Sequence, residues 1–97
     1  MNIQWSQQSL QDMRAIHDFI ARDSDHYASL MVHRIVERVE KAARTPTLGH
    51  PVHEAPKSGL REVHQDHYRI IYSLDHESLT IVTVVHMKQL LRRSRLK

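Results

Sequence analysis

The stretch that decides the fold is residues 60–74, LREVHQDHYRIIYSL. Strand side chains alternate with a period of two, so four large residues of this stretch share one face of an extended chain: Tyr68, Ile70, Tyr72 and Leu74. Arg69 then points to the opposite face. A guanidinium in the middle of such a strand is either a structural ion-pair partner or a placed phosphate-binding group.

The surrounding residues predict a small sheet. Residues 60–65, 67–74 and 79–86 are typical of strands, and turns at 65–66 and 75–78 separate them. Connections this short predict an antiparallel meander. Nearly every residue of the last strand, LTIVTVVH, is apolar or β-branched, so we expect it to be central and covered on both faces. Residues 52–55 are expected to form a short strand or extended segment.

The amino-terminal half predicts a short strand at residues 2–5 and two amphipathic helices. Ser6 can cap the first helix, expected at residues 7–22. The second helix is expected from residue 26 to residue 43 or 44. Each has apolar residues at three-and-four spacing: Leu10, Met13, Ile16, His17 and Ile20, with Phe19 beside them, and then Ala28, Met31, Val32, Ile35, Val39 and Ala42. The short break at 23–25 predicts an antiparallel hairpin.

Length and composition favour one globular domain. A chain of 97 residues, with 40% hydrophobic and 26% charged residues, can build a single modest core. We expect one domain, 1–97: a helical hairpin at about 7–44, a sheet at about 52–86 and a basic tail at 87–97. No apolar run reaches the length of a membrane span, and residues 1–13 lack a signal-peptide pattern. A cytoplasmic protein without a membrane partner is therefore expected.

The charge is unevenly distributed. The formal net charge is +3, and residues 86–97 contain no acid and five cations: Lys88, Arg92, Arg93, Arg95 and Lys97. Such an end attracts a polyanion or an acidic partner, although basic tails are also common solvated ends.

The histidines raise the question of a metal site. The chain has nine histidines and no cysteine, and the densest set is His50, His53, His64 and His67. Structural zinc sites usually use cysteines or a fixed helical spacing, which this set lacks. We therefore expect no metal and no cofactor.

The order of these elements and several short motifs carry a family resemblance. The motifs are Trp5-Ser6, Pro46, Gly49-His50-Pro51-Val52-His53-Glu54, Leu60-Arg61-Glu62, Tyr68-Arg69-Ile70-Ile71-Tyr72 and Val84-Val85-His86 before the basic end. Together they resemble the RelE/ParE superfamily of toxins from type II toxin–antitoxin modules, which includes plasmid-stabilisation proteins. The fold implied is α+β: a short first strand and a helical hairpin packed on a small, twisted, mostly antiparallel sheet.

The resemblance implies a growth-inhibiting toxin with one of two activities. ParE-like members bind and block DNA gyrase, whereas RelE-like members are ribosome-dependent mRNA endoribonucleases (mRNA interferases). The ending Val-Val-His followed by basic residues is closer to ParE-like members. Gyrase inhibition without catalysis is therefore the preferred hypothesis, messenger cleavage is the alternative, and a toxin without remaining activity is a third.

The two hypotheses assign different residues. In the RelE-like case Arg69 and Lys88 match the family's phosphate-stabilising cations, and His86 replaces the missing carboxyl-terminal tyrosine as acid or base. In the ParE-like case the residues that bind the target are Arg61, Arg69, Lys88, Arg92 and Arg93. The structural alternatives are that Arg69 pairs with Glu54 or Glu62 and that His86 donates to a backbone carbonyl at the strand end.

The resemblance also implies partners. The cognate antitoxin is expected to neutralise the toxin by laying short helices and strands over the helical hairpin and along the sheet. DNA gyrase is the expected target, with the ribosome and messenger RNA as the alternative. Operator DNA is expected to be bound only through the antitoxin complex.

Overall fold

The structure is a computed structural model that describes residues 1–96, with a helical hairpin packed on one face of a five-stranded sheet. The helices are α1 (Gln7–Ala21) and α2 (Asp25–Arg44). The strands are β1 (Asn2–Trp5), β2 (His50–Pro51), β3 (Arg61–Gln65), β4 (Tyr68–Leu74) and β5 (Ser78–His86). Single 3₁₀ turns lie at Pro46–Leu48 and Arg93–Leu96. Within the described residues, neither helix has the length and apolar character of a membrane span.

The sheet has the strand order β1-β5-β4-β3-β2. β5 pairs with β1 in parallel, and the other neighbours are antiparallel. The predicted meander and the interior position of the last strand are therefore confirmed. The α+β fold class is confirmed as well.

Serine caps begin both helices, and the first is the Ser6 cap that the sequence predicted. Ser6 Oγ accepts from the backbone amide of Ser9 at 3.0 Å and donates to the carbonyl of Val82 at 2.7 Å. The first cap is therefore fixed to β5. Ser24 Oγ accepts from the amide of Tyr27 at 3.2 Å and caps α2.

The prediction of the buried face of α1 was wrong at two positions. Leu10 and Phe19 are 56% and 65% exposed. Ser9 and Asp12 are buried instead, beside Met13, whose burial the spacing predicted. Ser9 is fully buried and its Oγ donates to the carbonyl of Ser6 at 2.8 Å, whereas Asp12 is buried because it has partners on the sheet. Apolar spacing alone does not detect either effect.

The main core lies between the hairpin and the sheet. The face predicted for β4 is confirmed, since its four large residues all pack in this core: Tyr68, Ile70, Tyr72 and Leu74. The helices contribute Met13, Ile35, Val39, Ala42 and Ala43.

The other face of the sheet has its own smaller core. Leu91 in the tail is 6% exposed and packs with residues of the sheet and the preceding loop: Val52, Ile71, Val82 and Val85. Leu60 and Leu96 pack against this cluster. Both faces of β5 are therefore covered, as predicted. The basic tail predicted at 87–97 folds back on the sheet because it has apolar residues among its cations. Lys97 lies outside the described residues.

The extended segment predicted at residues 52–55 is not a strand. The edge strand is His50–Pro51, and the chain then turns. Val52 is fully buried, and its amide donates to the carbonyl of Leu60 at 3.2 Å. This bond closes a loop, and the carboxylate of Glu54 is presented from that loop.

A buried tyrosine joins the helical half to the sheet. The Tyr72 hydroxyl donates to the carbonyl of Pro46 at 2.9 Å and accepts from the amide of Gly49 at 3.0 Å. A Cβ on Gly49 would overlap this hydroxyl and lie 2.9 Å from the carbonyl oxygen of Glu62. Glycine is therefore required by close packing at this position.

Replacing Tyr72 with phenylalanine should destabilise the fold. The Tyr72→Phe variant leaves a buried amide and a carbonyl without a partner, which costs about 1–3 kcal/mol. The matched control is Tyr68→Phe, because the Tyr68 hydroxyl has no hydrogen bond within the described chain. Urea denaturation measures both; equal stability of the two variants would contradict the role given to Tyr72.

Candidate functional site

Arg69 is held between two glutamates on the sheet face opposite the helices. Its Nη1 and Nη2 donate to the two carboxylate oxygens of Glu54 at 2.7 and 2.8 Å. Its Nε and Nη2 donate to Glu62 Oε2 at 2.9 and 2.7 Å. The sequence left open that Arg69 pairs with Glu54 or Glu62, and in the structure it pairs with both. Four of the five guanidinium N–H groups are used.

This ion-pair cluster is shielded from solvent. The side chains of Arg69 and Glu62 are 12% and 6% exposed. The hydrogen bond from Arg69 lowers the pKa of Glu54 from 4.5 to about 2, against the opposing effect of burial. The pairing with Glu54, and then with Glu62, raises the pKa of Arg69. Two carboxylates compensate one guanidinium, so this site carries no excess positive charge for a phosphate.

A cleft of about 440 Å³ lies on the helix side of the sheet. α1, the ends of β4 and β5, and the tail form its walls. Its lining residues are Asp12, Ala15, Ile16, Phe19, Tyr68, Val84, His86, Gln89 and Arg95. Phe19 is 65% exposed at this cleft, and exposed apolar surface of this kind is typical of places where polypeptide segments bind.

Asp12 anchors the tail at this cleft. Its Oδ2 accepts from Thr83 Oγ1 at 2.5 Å and from the Val84 amide at 3.0 Å. Its Oδ1 accepts from Arg95 Nη1 at 2.7 Å and from Gln8 Nε2 at 2.9 Å. A buried carboxylate thus joins α1, β5 and the tail. The apolar spacing did not predict this role of Asp12; the only signal was an acid beside Met13 on a predicted apolar face.

His86 ends β5 in a way the sequence did not predict. Its Nδ1 accepts from the backbone amide of Lys88 at 3.1 Å, whereas donation to a carbonyl was expected. The ring packs edge-on against Tyr68, with 5.4 Å between centroids. His86 therefore closes the strand end and lines the cleft.

The three residues assigned to catalysis do not form one site. Tyr68 and His86 are register partners, so they share the helix-side face of the sheet. Arg69 follows Tyr68 and points to the opposite face, where it meets Glu54 and Glu62. Lys88 is exposed beyond the end of β5. The sheet thus separates Arg69 from His86.

The five cations predicted to bind a target do not form one surface: Arg61 and Arg69 lie on opposite faces of the sheet, and the other three lie in the tail. Arg61 donates to the carbonyl of Gly49 at 2.6 Å and faces the same side as its register partner Tyr72, away from Arg69. Three cations of the tail are exposed and have no side-chain ion pair within residues 1–96: Lys88, Arg92 and Arg93. These three retain free positive charge.

Comparison with known proteins identifies the family. The sequence model described as "ParE toxin of type II toxin-antitoxin system, parDE" matches residues 3–91. The chain belongs to the ParE toxin family. It is thus a toxin of the type II toxin–antitoxin class and a member of the RelE/ParE superfamily. A search of the curated proteins gave no match for this ParE-family toxin.

Solved structures share the fold. The chromosomal ParDE toxin–antitoxin system from P. aeruginosa is 18% identical with a TM-score of 0.72, over 89% of this chain and 95% of that chain. The RelBE2 toxin–antitoxin complex from Mycobacterium tuberculosis is 19% identical with a TM-score of 0.64, over 88% and 95%. The YoeB/ParE toxin from Agrobacterium tumefaciens is 20% identical with a TM-score of 0.63, over 89% and 98%. The three solved structures therefore share the fold of this ParE-family toxin.

Acid should weaken the ion-pair cluster of this toxin through Glu54. Its folded pKa of about 2 is below the ordinary 4.5, so its stabilising effect is complete above pH 4.5 and is lost as the pH falls toward 2. About a third of its side chain is exposed, which limits the effect. We expect Glu54→Gln to be less stable than wild type by roughly 1–2 kcal/mol at neutral pH, converging with it near pH 2.

Urea denaturation across this pH range measures the difference. The control is Glu77→Gln, since the Glu77 side chain is 75% exposed and should change stability by less than about 0.5 kcal/mol at neutral pH. A constant difference between wild type and Glu54→Gln down to pH 2 would contradict the pairing of Glu54 with Arg69.

Proposed function

We propose that this ParE-family toxin inhibits DNA gyrase by binding it and that a cognate antitoxin keeps it inactive. The observation that carries this proposal is the pairing of Arg69 with Glu54 and Glu62. Arg69 is the residue whose sequence context matches the phosphate-stabilising arginine of RelE-like members. In this chain its guanidinium is a compensated, shielded part of the sheet, which favours binding over messenger cleavage.

The chemistry of messenger cleavage supports the same choice. Attack of a ribose 2′-hydroxyl on a phosphate needs a base, an acid and a cation at one reacting centre. His86 and Arg69 lie on opposite faces of the sheet, so they cannot contact the same phosphate. A nuclease built on these residues would require the sheet to rearrange.

The target-binding surface that we propose is the tail segment 87–93. It exposes Lys88, Arg92 and Arg93, and its apolar Met87 and Leu90 are 41% and 75% exposed. Apolar side chains bordered by arginines are typical of protein interfaces, where a few such residues contribute most of the affinity. Leu91, buried on the sheet, holds this segment in place.

The antitoxin is assigned to the cleft beside Phe19. The solved relatives include a ParDE system and a RelBE2 toxin–antitoxin complex. The cleft offers the antitoxin an apolar wall from α1 and the sheet. We propose that an apolar antitoxin segment inserts here and contacts Phe19, which is 65% exposed in the free toxin.

Removing the three tail cations should weaken gyrase inhibition without unfolding the protein. We expect the Lys88→Ala/Arg92→Ala/Arg93→Ala variant to need at least about 10-fold more protein for half-inhibition of supercoiling, because apolar contacts remain but the charged border is lost. The measurement is a supercoiling assay with purified gyrase.

A charge-matched control comes from elsewhere on the surface. The Arg14→Ala/Arg44→Ala/Lys57→Ala variant removes three exposed cations and should inhibit like wild type. Two results together would contradict the proposal and support the RelE-like alternative. Micromolar wild-type toxin would leave supercoiling unaffected, and a primer-extension assay on translating ribosomes would show cleaved messenger.

Antitoxin binding should depend on Phe19. We expect co-purification with the product of the adjacent reading frame, and an affinity loss of about 30-fold in Phe19→Ala, the effect of removing a central aromatic contact. Tyr27→Ala is the matched control, because Tyr27 is 64% exposed but does not line the cleft. Equal losses in the two variants would contradict the placement, and failure to co-purify would contradict the antitoxin assignment.

A further inference from the structure

We propose that His50, Glu62 and His64 form a binding site for a divalent transition-metal ion, with Zn²⁺ as the preferred ion. From the sequence we expected no metal, and these two histidines belonged to a set with His53 and His67. The structure separates that group and adds a carboxylate that a count of histidines leaves out. The inference is independent of gyrase inhibition.

The sheet register brings the three side chains together. His50 on β2 is the register partner of Glu62 on β3, so their side chains are neighbours on one face. His64 lies two residues after Glu62 and therefore points to the same face. This is the face opposite the helices, next to the Arg69 cluster.

The ligand atoms are close to metal-binding distances. Glu62 Oε1 lies 3.1 Å from His64 Nε2 and 3.9 Å from His50 Nδ1. The three ligand atoms all lie within 4.8 Å of one another. Tetrahedral zinc with bonds of about 2.0–2.1 Å places its ligand atoms about 3.3–3.5 Å apart. Since His50 and His64 are exposed at the sheet edge, small side-chain rotations achieve this spacing.

Arg69 prepares the carboxylate for this role. Its Nε and Nη2 both bind Oε2 of Glu62 and leave Oε1 directed at the histidines. Metal-ligating carboxylates are commonly oriented by such a second hydrogen-bonding partner. The Glu62 side chain is 6% exposed, so this ligand is already desolvated and fixed in position.

The donor set selects the class of ion. Two imidazoles and one carboxylate match zinc sites with three protein ligands and one open position. Imidazole nitrogen favours Zn²⁺, Cu²⁺ and Ni²⁺ over Mg²⁺ and Ca²⁺, which require mostly oxygen ligands. A bound ion would link the two-residue edge strand β2 to β3 and so stabilise the edge of the sheet.

The test is metal titration of the purified toxin with zinc chloride. We expect one Zn²⁺ per chain and a rise in Tm of about 10 °C or more when free zinc exceeds Kd about 100-fold. Co²⁺ at the same site should give the visible absorption of a tetrahedral nitrogen–oxygen complex. Magnesium chloride should leave Tm unchanged.

Histidine variants distinguish zinc bound at this site from zinc bound weakly at other exposed histidines. His50→Ala and His64→Ala should each lose the zinc-dependent rise in Tm, whereas His53→Ala and His76→Ala should retain it. All four residues are exposed, so circular dichroism and the metal-free Tm should show that each variant is folded. No zinc-dependent change in wild type, or an undiminished change in the His50→Ala/His64→Ala double variant, would overturn the proposal.

Discussion

The ion-pair cluster of Arg69, Glu54 and Glu62 is the interaction on which the helix-free face of the sheet depends. It joins three parts of the chain: β4, β3 and the loop after β2. A buried guanidinium is tolerated only when carboxylates compensate it, so the three residues act as one unit. The same face is completed by the tail, whose Leu91 packs on Val82 and Val85 beside the cluster. Loop, sheet and tail are thereby fixed relative to one another.

Buried polar side chains also join the helices and the tail to the other face of the sheet. The buried Asp12 joins α1 to β5 and to Arg95 of the tail, and the Tyr72 hydroxyl joins β4 to the segment after α2. Within the described residues, every buried side-chain nitrogen or oxygen has a hydrogen-bond partner. These links position the cleft and the cationic segment 87–93 on a fixed scaffold. For the binding function that we propose, such a scaffold would present the target surface and the antitoxin surface without an ordering cost.

Most of the fold could be predicted because local patterns were consistent with it. The serine cap predicted the start of a helix, the apolar spacing predicted the buried face of α2, and the alternation around Arg69 predicted the two faces of β4. The errors arose where distant contacts decide the outcome. Leu10 and Phe19 were assigned to the core because spacing does not show that Ser9 is buried or that Asp12 bonds to β5. Arg69 and His86 were placed in one candidate catalytic site, but the strand register pairs His86 with Tyr68 and so puts it on the opposite face of the sheet from Arg69. Charge counts could not show that Glu54 and Glu62 neutralise Arg69.

The most direct test of this account is replacement of Arg69 with methionine, with stability and gyrase inhibition measured on the same preparation. Arg69→Met leaves Glu62 buried without its partner, so we expect a loss of about 3–5 kcal/mol in the free energy of unfolding. We also expect the folded fraction of the variant, measured at low temperature, to inhibit supercoiling as well as wild type does. A variant as stable as wild type that has lost inhibition would contradict the account, because Arg69 would then be a functional residue and not the structural centre of the sheet.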